Sequence, residues 1–266
     1  MTGRTFTAIV LAQDWKAGGH PIPGAWLHTL GIALGAVLGL GFLALLLRGW
    51  LRRRWYRARD VLGEEDLRAV RAALVAAELR TSGEILPVVL ERSDRHPGAC
   101  WLAAFVCVLV GSAGLAPWLP WELPAWLLVV QLGLGAMGYG CARWLPDFQR
   151  FFLSEARASE MAEEQAFQEF HRHELFRTKA RTGVLLFLSL LERRAVVLAD
   201  IGIHDKVGAE AWKRTNERML AGVRRGSLRE GLVAGIESAG ELLAEHYPVG
   251  EGDRNEIPDR VIVRRE

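Results

Sequence analysis

The chain has 266 residues, half of them apolar, with 33 basic side chains against 31 acidic ones and a net charge of +2. That near balance removes the general case for a nucleic-acid partner. Three cysteines without CxxC spacing or neighbouring histidine ligands remove a disulfide framework or a zinc site.

Charge-free apolar stretches stand at 25–47, 97–121 and 123–142. Each is long enough to cross a hydrocarbon core of about 30 Å, which takes about 20 helical residues. After a tail at 1–24, the first stretch predicts a transmembrane helix at 25–47. Gly31, Gly35 and Gly39 recur there at every fourth position. The smooth strip they form lets a second helix come close, from this chain or from another. Arg48, Arg52, Arg53, Arg54, Arg57 and Arg59 follow that span. A cleaved signal peptide carries its basic residues before the apolar core. The opposite order predicts a retained helix, with the N-terminus outside and the arginine cluster against the anionic inner leaflet.

The first soluble part is expected over 60–96. Glu64, Glu65 and Asp66 open a helix with acids in its first turn. Leu67, Val70, Leu74 and Ala77 supply its apolar face, and Gly83 is placed to end it. A short strand follows over 84–90, where Pro87 predicts an edge position. Two further spans at 98–119 and 123–143 then make a hairpin, turning at the outer face. Trp118, Trp121 and Trp126 at one end, with Trp101 and Trp144 toward the other, fit interfacial aromatic belts. Gly133, Gly135, Gly138 and Gly140 predict a close helix crossing. No Asp, Glu, Lys or Arg lies inside the stretches 25–47, 97–121 and 123–142 to form an ion path, which argues against a transporter.

The second soluble part is expected over 150–248. It opens with one long helix over 151–179, in which Ala162, Ala166, Phe167, Phe170 and Phe176 are available for burial. An apolar strand at 184–190, a polar turn at Glu192-Arg193-Arg194 and a strand at 195–199 predict a hairpin in the sheet centre. Two helices finish the unit. One covers about 208–223, and the other starts at Ser227, where Ser-x-x-Glu to Glu230 forms a capping box. Residues 249–266 read as a loose polar tail apart from Val261-Ile-Val263.

Two segments invite a reading as chemistry. His171 and His173 lie two apart, so on a helix they point in opposite directions and suit a solvated helix end better than a metal pair. Asp200-Ile-Gly-Ile-His204-Asp205 gathers two carboxylates and an imidazole after a strand. Carboxylate oxygens of Asp200 and Asp205 suit Ca²⁺ or Mg²⁺, and His204 suits acid–base work near neutral pH. A loop of this composition is also ordinary turn and cap chemistry. The chain contains no P-loop, GxGxxG turn, GxSxG elbow or kinase signature.

Arg181-Thr-Gly-Val-Leu-Leu-Phe-Leu-Ser-Leu190, Val197-Leu-Ala-Asp-Ile-Gly-Ile203 and Leu228-Arg-Glu-Gly-Leu-Val-Ala-Gly-Ile236 together resemble the TPM-domain family. The helix before Thr81-Ser-Gly-Glu-Ile85 is similar to that family's opening helix and first strand. The resemblance covers 60–96 and 150–248 and is to a bacterial membrane branch with an inserted hairpin. It implies a small αβα sandwich, here joined to three transmembrane helices as an α/β membrane-anchored protein. Some members are described as acid phosphatases, some bind calcium, and others act as assembly, repair or auxiliary factors. Several relatives face a lumen or the exterior, whereas the arginines here predict a cytoplasmic domain on a multi-pass inner-membrane protein. The expected role is a non-enzymatic interaction or assembly and maintenance factor for membrane components. Its partners would be the bilayer and another membrane protein or a second copy of itself. The alternative is a metal-assisted phosphatase acting through Asp200, His204 and Asp205.

Overall fold

The computed structural model describes residues 37, 39–41, 43–44, 46–51, 56–57, 61–115, 124–250 and 255–265. The tail at 1–24, Gly31, Gly35, Arg52, Arg53, Arg54, Arg59 and the turn between the two later apolar stretches lie outside the described residues, as does most of the span expected at 25–47. The described positions from Val37 to Leu51 are helical.

Helix α1 (Glu64–Glu78) begins where Asp66 accepts the Gly63 backbone N–H at 3.2 Å. It buries Val70, Leu74 and Ala77, the stripe expected from their spacing. Strand β1 (Glu84–Leu90) follows and is buried along its whole length. The chain then leaves the sheet for α2 (Pro97–Leu115) and α3 (Pro124–Trp144), and returns through a short α4 (Pro146–Phe151). The long helix expected over 151–179 is broken. Its body is α5 (Glu155–Arg172), capped by Ser154, whose hydroxyl accepts the Arg157 N–H at 3.2 Å. Glu174 then adopts a left-handed backbone at φ 53° and opens a 3₁₀ turn at Leu175–Arg177. A polar residue in that conformation stops the helix.

Strands β2 (Gly183–Ser189) and β3 (Arg194–Ala199) form the expected hairpin. Helices α6 (Ile201–Val207), α7 (Ala209–Arg224) and α8 (Leu228–His246) come next, and β4 (Ile262–Arg264) completes the sheet. Ser227 caps α8 by accepting the Glu230 N–H at 3.1 Å. Helices α7 and α8 cross so closely that a Cβ on Gly222 would stand 2.4 Å from the Gly231 nitrogen.

Strand order is β3-β2-β1-β4, with β1 parallel to both β2 and β4 and β3 antiparallel to β2. Two expectations change. The β2–β3 hairpin is not central, because β3 is an edge strand. Strand β1 is internal despite Pro87, which pairs in register with Leu186 but lies just outside the ladder to β4, confined to Val88–Leu90. The exception expected in the tail at 261–263 falls on β4. Fully buried Glu169 on α5 holds that strand through Arg264, and Glu84 accepts the backbone N–H groups of Glu256 at 2.8 Å and Ile257 at 3.3 Å.

Alternation along the strands sends side chains to two helical layers. Ile85, Val89, Val184 and Leu186 pack toward α1, α7 and α8. Leu86, Val88, Leu185 and Phe187 pack toward α5 and the 3₁₀ turn. Covered on both faces, β1 and β2 read as unbroken apolar runs rather than as alternating ones.

The α2–α3 hairpin is built differently. These helices pack on each other and on α4. Gly138 makes the crossing possible, for a Cβ there would lie 2.8 Å from Cys107 Sγ and 2.9 Å from the Ala103 carbonyl oxygen. Gly135 sits at ordinary contact distance from Val108, whereas Gly133 and Gly140 have no neighbour within 4 Å of their Cβ positions among the described residues. Both helices are long and apolar enough to cross a membrane, and only 22% and 11% of their apolar windows is buried. Gly39 has no atom within 4 Å of its Cβ position among the described residues.

Candidate functional site

Because β1 and β2 are parallel, they end together at Leu90 and Ser189. Carboxyl ends of parallel strands are where open α/β sheets form ligand crevices. Here the same edge is where the chain departs for the apolar hairpin, and a buried polar cluster lies at the junction.

Glu192 is its centre, fully buried just beyond β2. His96 Nε2 lies 2.5 Å from Glu192 Oε1, the Ser93 N–H donates to the same oxygen at 3.0 Å, and the Ser189 hydroxyl donates to Oε2. Burial alone would raise the Glu192 carboxyl, but these hydrogen bonds outweigh it and hold the group below its ordinary range. His96 has a left-handed backbone at φ 47°, and its N–H donates to Asp94 Oδ2 at 3.1 Å. The opposite side is held by α4. Arg150 Nη1 donates to the carbonyls of Leu191 at 3.1 Å and Glu192 at 2.8 Å, and Gln149 Nε2 donates to the Arg95 carbonyl at 2.7 Å.

A nucleophile–base pair would have Ser189 donating to an imidazole. In this cluster both Ser189 and His96 turn to the carboxylate between them, and all three are buried. The arrangement is a clamp. It fixes the segment entering α2 and the segment leaving α4 against the end of β2.

Beside the clamp, Tyr56, Arg57, Glu91, Arg92, Arg143, Trp144, Pro146, Leu191 and Arg265 surround a cavity of about 390 Å³. The Tyr56 hydroxyl donates to Asp147 Oδ1 and accepts from Arg193 Nη2 at 2.8 Å. Burial first, and the Asp147 carboxylate second, raise the Tyr56 phenol above its ordinary value. Arg57, one of the six arginines expected at the membrane boundary, thus reaches this cavity, while Arg48 is exposed.

Asp200 lies at the other end of the sheet. Strand β3 is antiparallel, so its last residue, Ala199, pairs with Val184 near the start of β2. Asp200 Oδ1 accepts the Ile201 N–H at 2.7 Å, and Oδ2 is 3.1 Å from Arg181 Nε, so the carboxylate caps α6 and binds a guanidinium. His204 and Asp205 are on α6, and their side chains lie outside the described residues. Among the described residues no group of three or more His, Cys, Asp or Glu is arranged to hold a metal ion. His171 is exposed and stacks against Phe167 and Phe176, and His173 Nε2 sits 3.2 Å from Glu169 Oε2.

A further acidic group gathers near the start of β1. Glu78 Oε1 accepts the Ile85 N–H at 3.2 Å, and Oε2 is buried without a hydrogen-bond donor. Burial, with the Asp259 carboxylate opposite, pushes Glu78 up to about 9. A proton on Glu78 supplies the missing donor between the two carboxyl groups. Sequence reasoning missed both this pair and the Glu192 clamp. The one local hint was a glutamate at 192 closing the largely apolar run 183–191.

No protein-family model matches the chain, and no curated protein matches it. Among solved structures it is similar to the NMR structure of BA42 protein from the psychrophilic bacterium Bizionia argentinensis. The TM-score is 0.50, at 21% sequence identity over 77% of this chain and 97% of that one. At this identity the likeness concerns the mixed α/β fold alone.

Proposed function

We propose that this protein is a membrane-anchored α/β module whose α2–α3 hairpin lies in the bilayer and whose sheet domain serves protein interaction at the cytoplasmic face. The observation that carries the anchoring is the uncovered apolar surface of the hairpin. Trp101, Phe105 and Leu109 on α2 and Trp126, Leu128 and Leu132 on α3 are all more than half exposed. A continuous apolar surface of that extent is not left to water in a soluble monomer. Lipid is the cover that both helices fit by length, and Trp101 and Trp144 stand toward the end that joins the domain.

The interaction role follows from what the polar residues do. The Glu192 cluster is spent on holding the hairpin to the sheet, and Asp200 is committed to Arg181 and the start of α6. In the hydrolase alternative through Asp200, His204 and Asp205, Asp200 would have to act while paired with Arg181, and the TPM resemblance is the frame of the interaction reading. Alkaline carbonate washing of membranes, followed by cross-linking and purification from mild detergent, tests the proposal. The chain is expected to stay in the washed membranes and to carry a cross-linked protein partner. Release into the wash removes the anchor, and recovery of bare monomer removes the interaction role.

A further inference from the structure

The cavity beside the clamp concentrates positive charge drawn from four separate parts of the chain. Arg57 follows the first apolar stretch, Arg92 follows β1, Arg143 belongs to the last turn of α3, and Arg265 follows β4. Among the described lining residues Glu91 is the one carboxylate, and Arg265 Nε already lies 3.6 Å from it. Arg92 Nη1 is enclosed and has no hydrogen-bond partner. The Tyr56 hydroxyl does not offset this charge, since its proton goes to Asp147 and its oxygen receives Arg193.

Guanidinium groups converging on one space repel each other, and an enclosed N–H without an acceptor carries a desolvation cost. The fold nevertheless brings these arginines together from β1, α3 and β4. An anion in the space relieves both costs. Arginine forks match phosphate oxygens through paired, charge-assisted hydrogen bonds. The volume suits a small ligand. Leu191 and Pro146 give it an apolar side, and exposed Trp144 stands at its rim at the foot of the hairpin.

We infer that this cavity binds a phosphate group, with Arg92 and Arg143 as its principal ligands and Arg57 and Arg265 closing around it. A phosphodiester of an anionic lipid headgroup and a free phosphate share that chemistry. The lipid source rests on the membrane reading above, whereas the anion site does not.

The test uses the full chain in nanodiscs of phosphatidylcholine, with and without phosphatidylglycerol, and inorganic phosphate titrated into the phosphatidylcholine discs. Thermal unfolding reports binding. A rise in Tm with phosphatidylglycerol alone identifies the headgroup, and a rise with inorganic phosphate identifies the free anion. In either arm, Arg92→Gln is expected to weaken binding about tenfold, the worth of one charge-assisted hydrogen bond. Exposed Arg143→Gln does the same and keeps the test intact if Arg92→Gln fails to fold. Arg68→Gln, on the exposed side of α1, leaves the shift unchanged. The absence of a shift in both arms overturns the site. So does a shift that survives Arg143→Gln as fully as Arg68→Gln, which is general attraction to charge. Failure to enter the discs breaks the membrane reading instead, and phosphate added to the chain in buffer then decides the anion site separately.

Discussion

The α/β body and the α2–α3 hairpin are both rich in apolar side chains, yet the two regions dispose of them in opposite ways. In the body, β1 and β2 are buried along their whole length by helices on both faces. In the hairpin, two longer apolar helices cover little more than the seam between them. Apolar sequence therefore says that a cover is needed, and the fold says whether the chain supplies it. The body covers itself, and the hairpin leaves most of its apolar surface uncovered.

The largest expected effect breaks that contrast directly. Leu132 is 74% exposed near the middle of α3. If lipid covers it, Leu132→Arg costs about 3 kcal/mol of insertion, read as a fall in the carbonate-resistant fraction. If water covers it, the same substitution is harmless to folding and improves solubility.

The clamp joining the two regions comes next. His96→Ala leaves the buried Glu192 carboxylate short of one of its three donors and is expected to cost about 2 kcal/mol, measured by urea unfolding in detergent. Glu192 is held below its ordinary value of 4.5, so its contribution is whole above that pH and is lost as pH falls through the lower folded value. The acid side of the stability profile should flatten in His96→Ala. An unchanged profile would show that the junction does not depend on this contact.

Inside the hairpin, Gly138→Val drives a side chain against the Ala103 carbonyl, which cannot move aside as a flexible tip would. Overpacking of this kind costs about 1 to 3 kcal/mol. Cross-linking between cysteines placed on α2 and α3 should fall, while unfolding of the body is unchanged.

A pH effect remains at the far end of the body. Folded Glu78 titrates near 9 against 4.5 in the unfolded chain, so the folded state keeps a proton that the unfolded state releases. Stability from this group is complete below about 4.5 and is lost as pH rises toward 9. Glu78→Gln should remove that alkaline decline with no change in membrane retention. A decline that persists in the variant assigns it to another group.

Much of the body was legible because its signals are local. The stripe of α1, the Ser227 cap of α8 and the β2–β3 hairpin each follow from residues a few positions apart. Strand order was not legible, because it depends on which distant strands meet. Pro87 argued for an edge, and β1 became internal because β4 pairs only beyond that proline. The short β4 showed only as the apolar Val261-Ile-Val263, without a pairing partner, and its anchor, Glu169 with Arg264, spans 95 positions. The same holds for the site. Asp200, His204 and Asp205 were conspicuous by being neighbours, whereas His96 and Glu192 are 96 positions apart and meet only where β2 ends. The expectation that a loop after a strand gathers ligands presumed a parallel strand, and β3 is antiparallel.

Reporter fusions after Arg95, at Trp121 and at the carboxyl terminus test most directly whether the polypeptide crosses the bilayer and comes back within one fold. With a phosphatase active only outside and a fluorescent protein folding only inside, the account predicts inside, outside, inside. Arg95 and the carboxyl terminus on opposite faces, or all three fusions on one face, would contradict it.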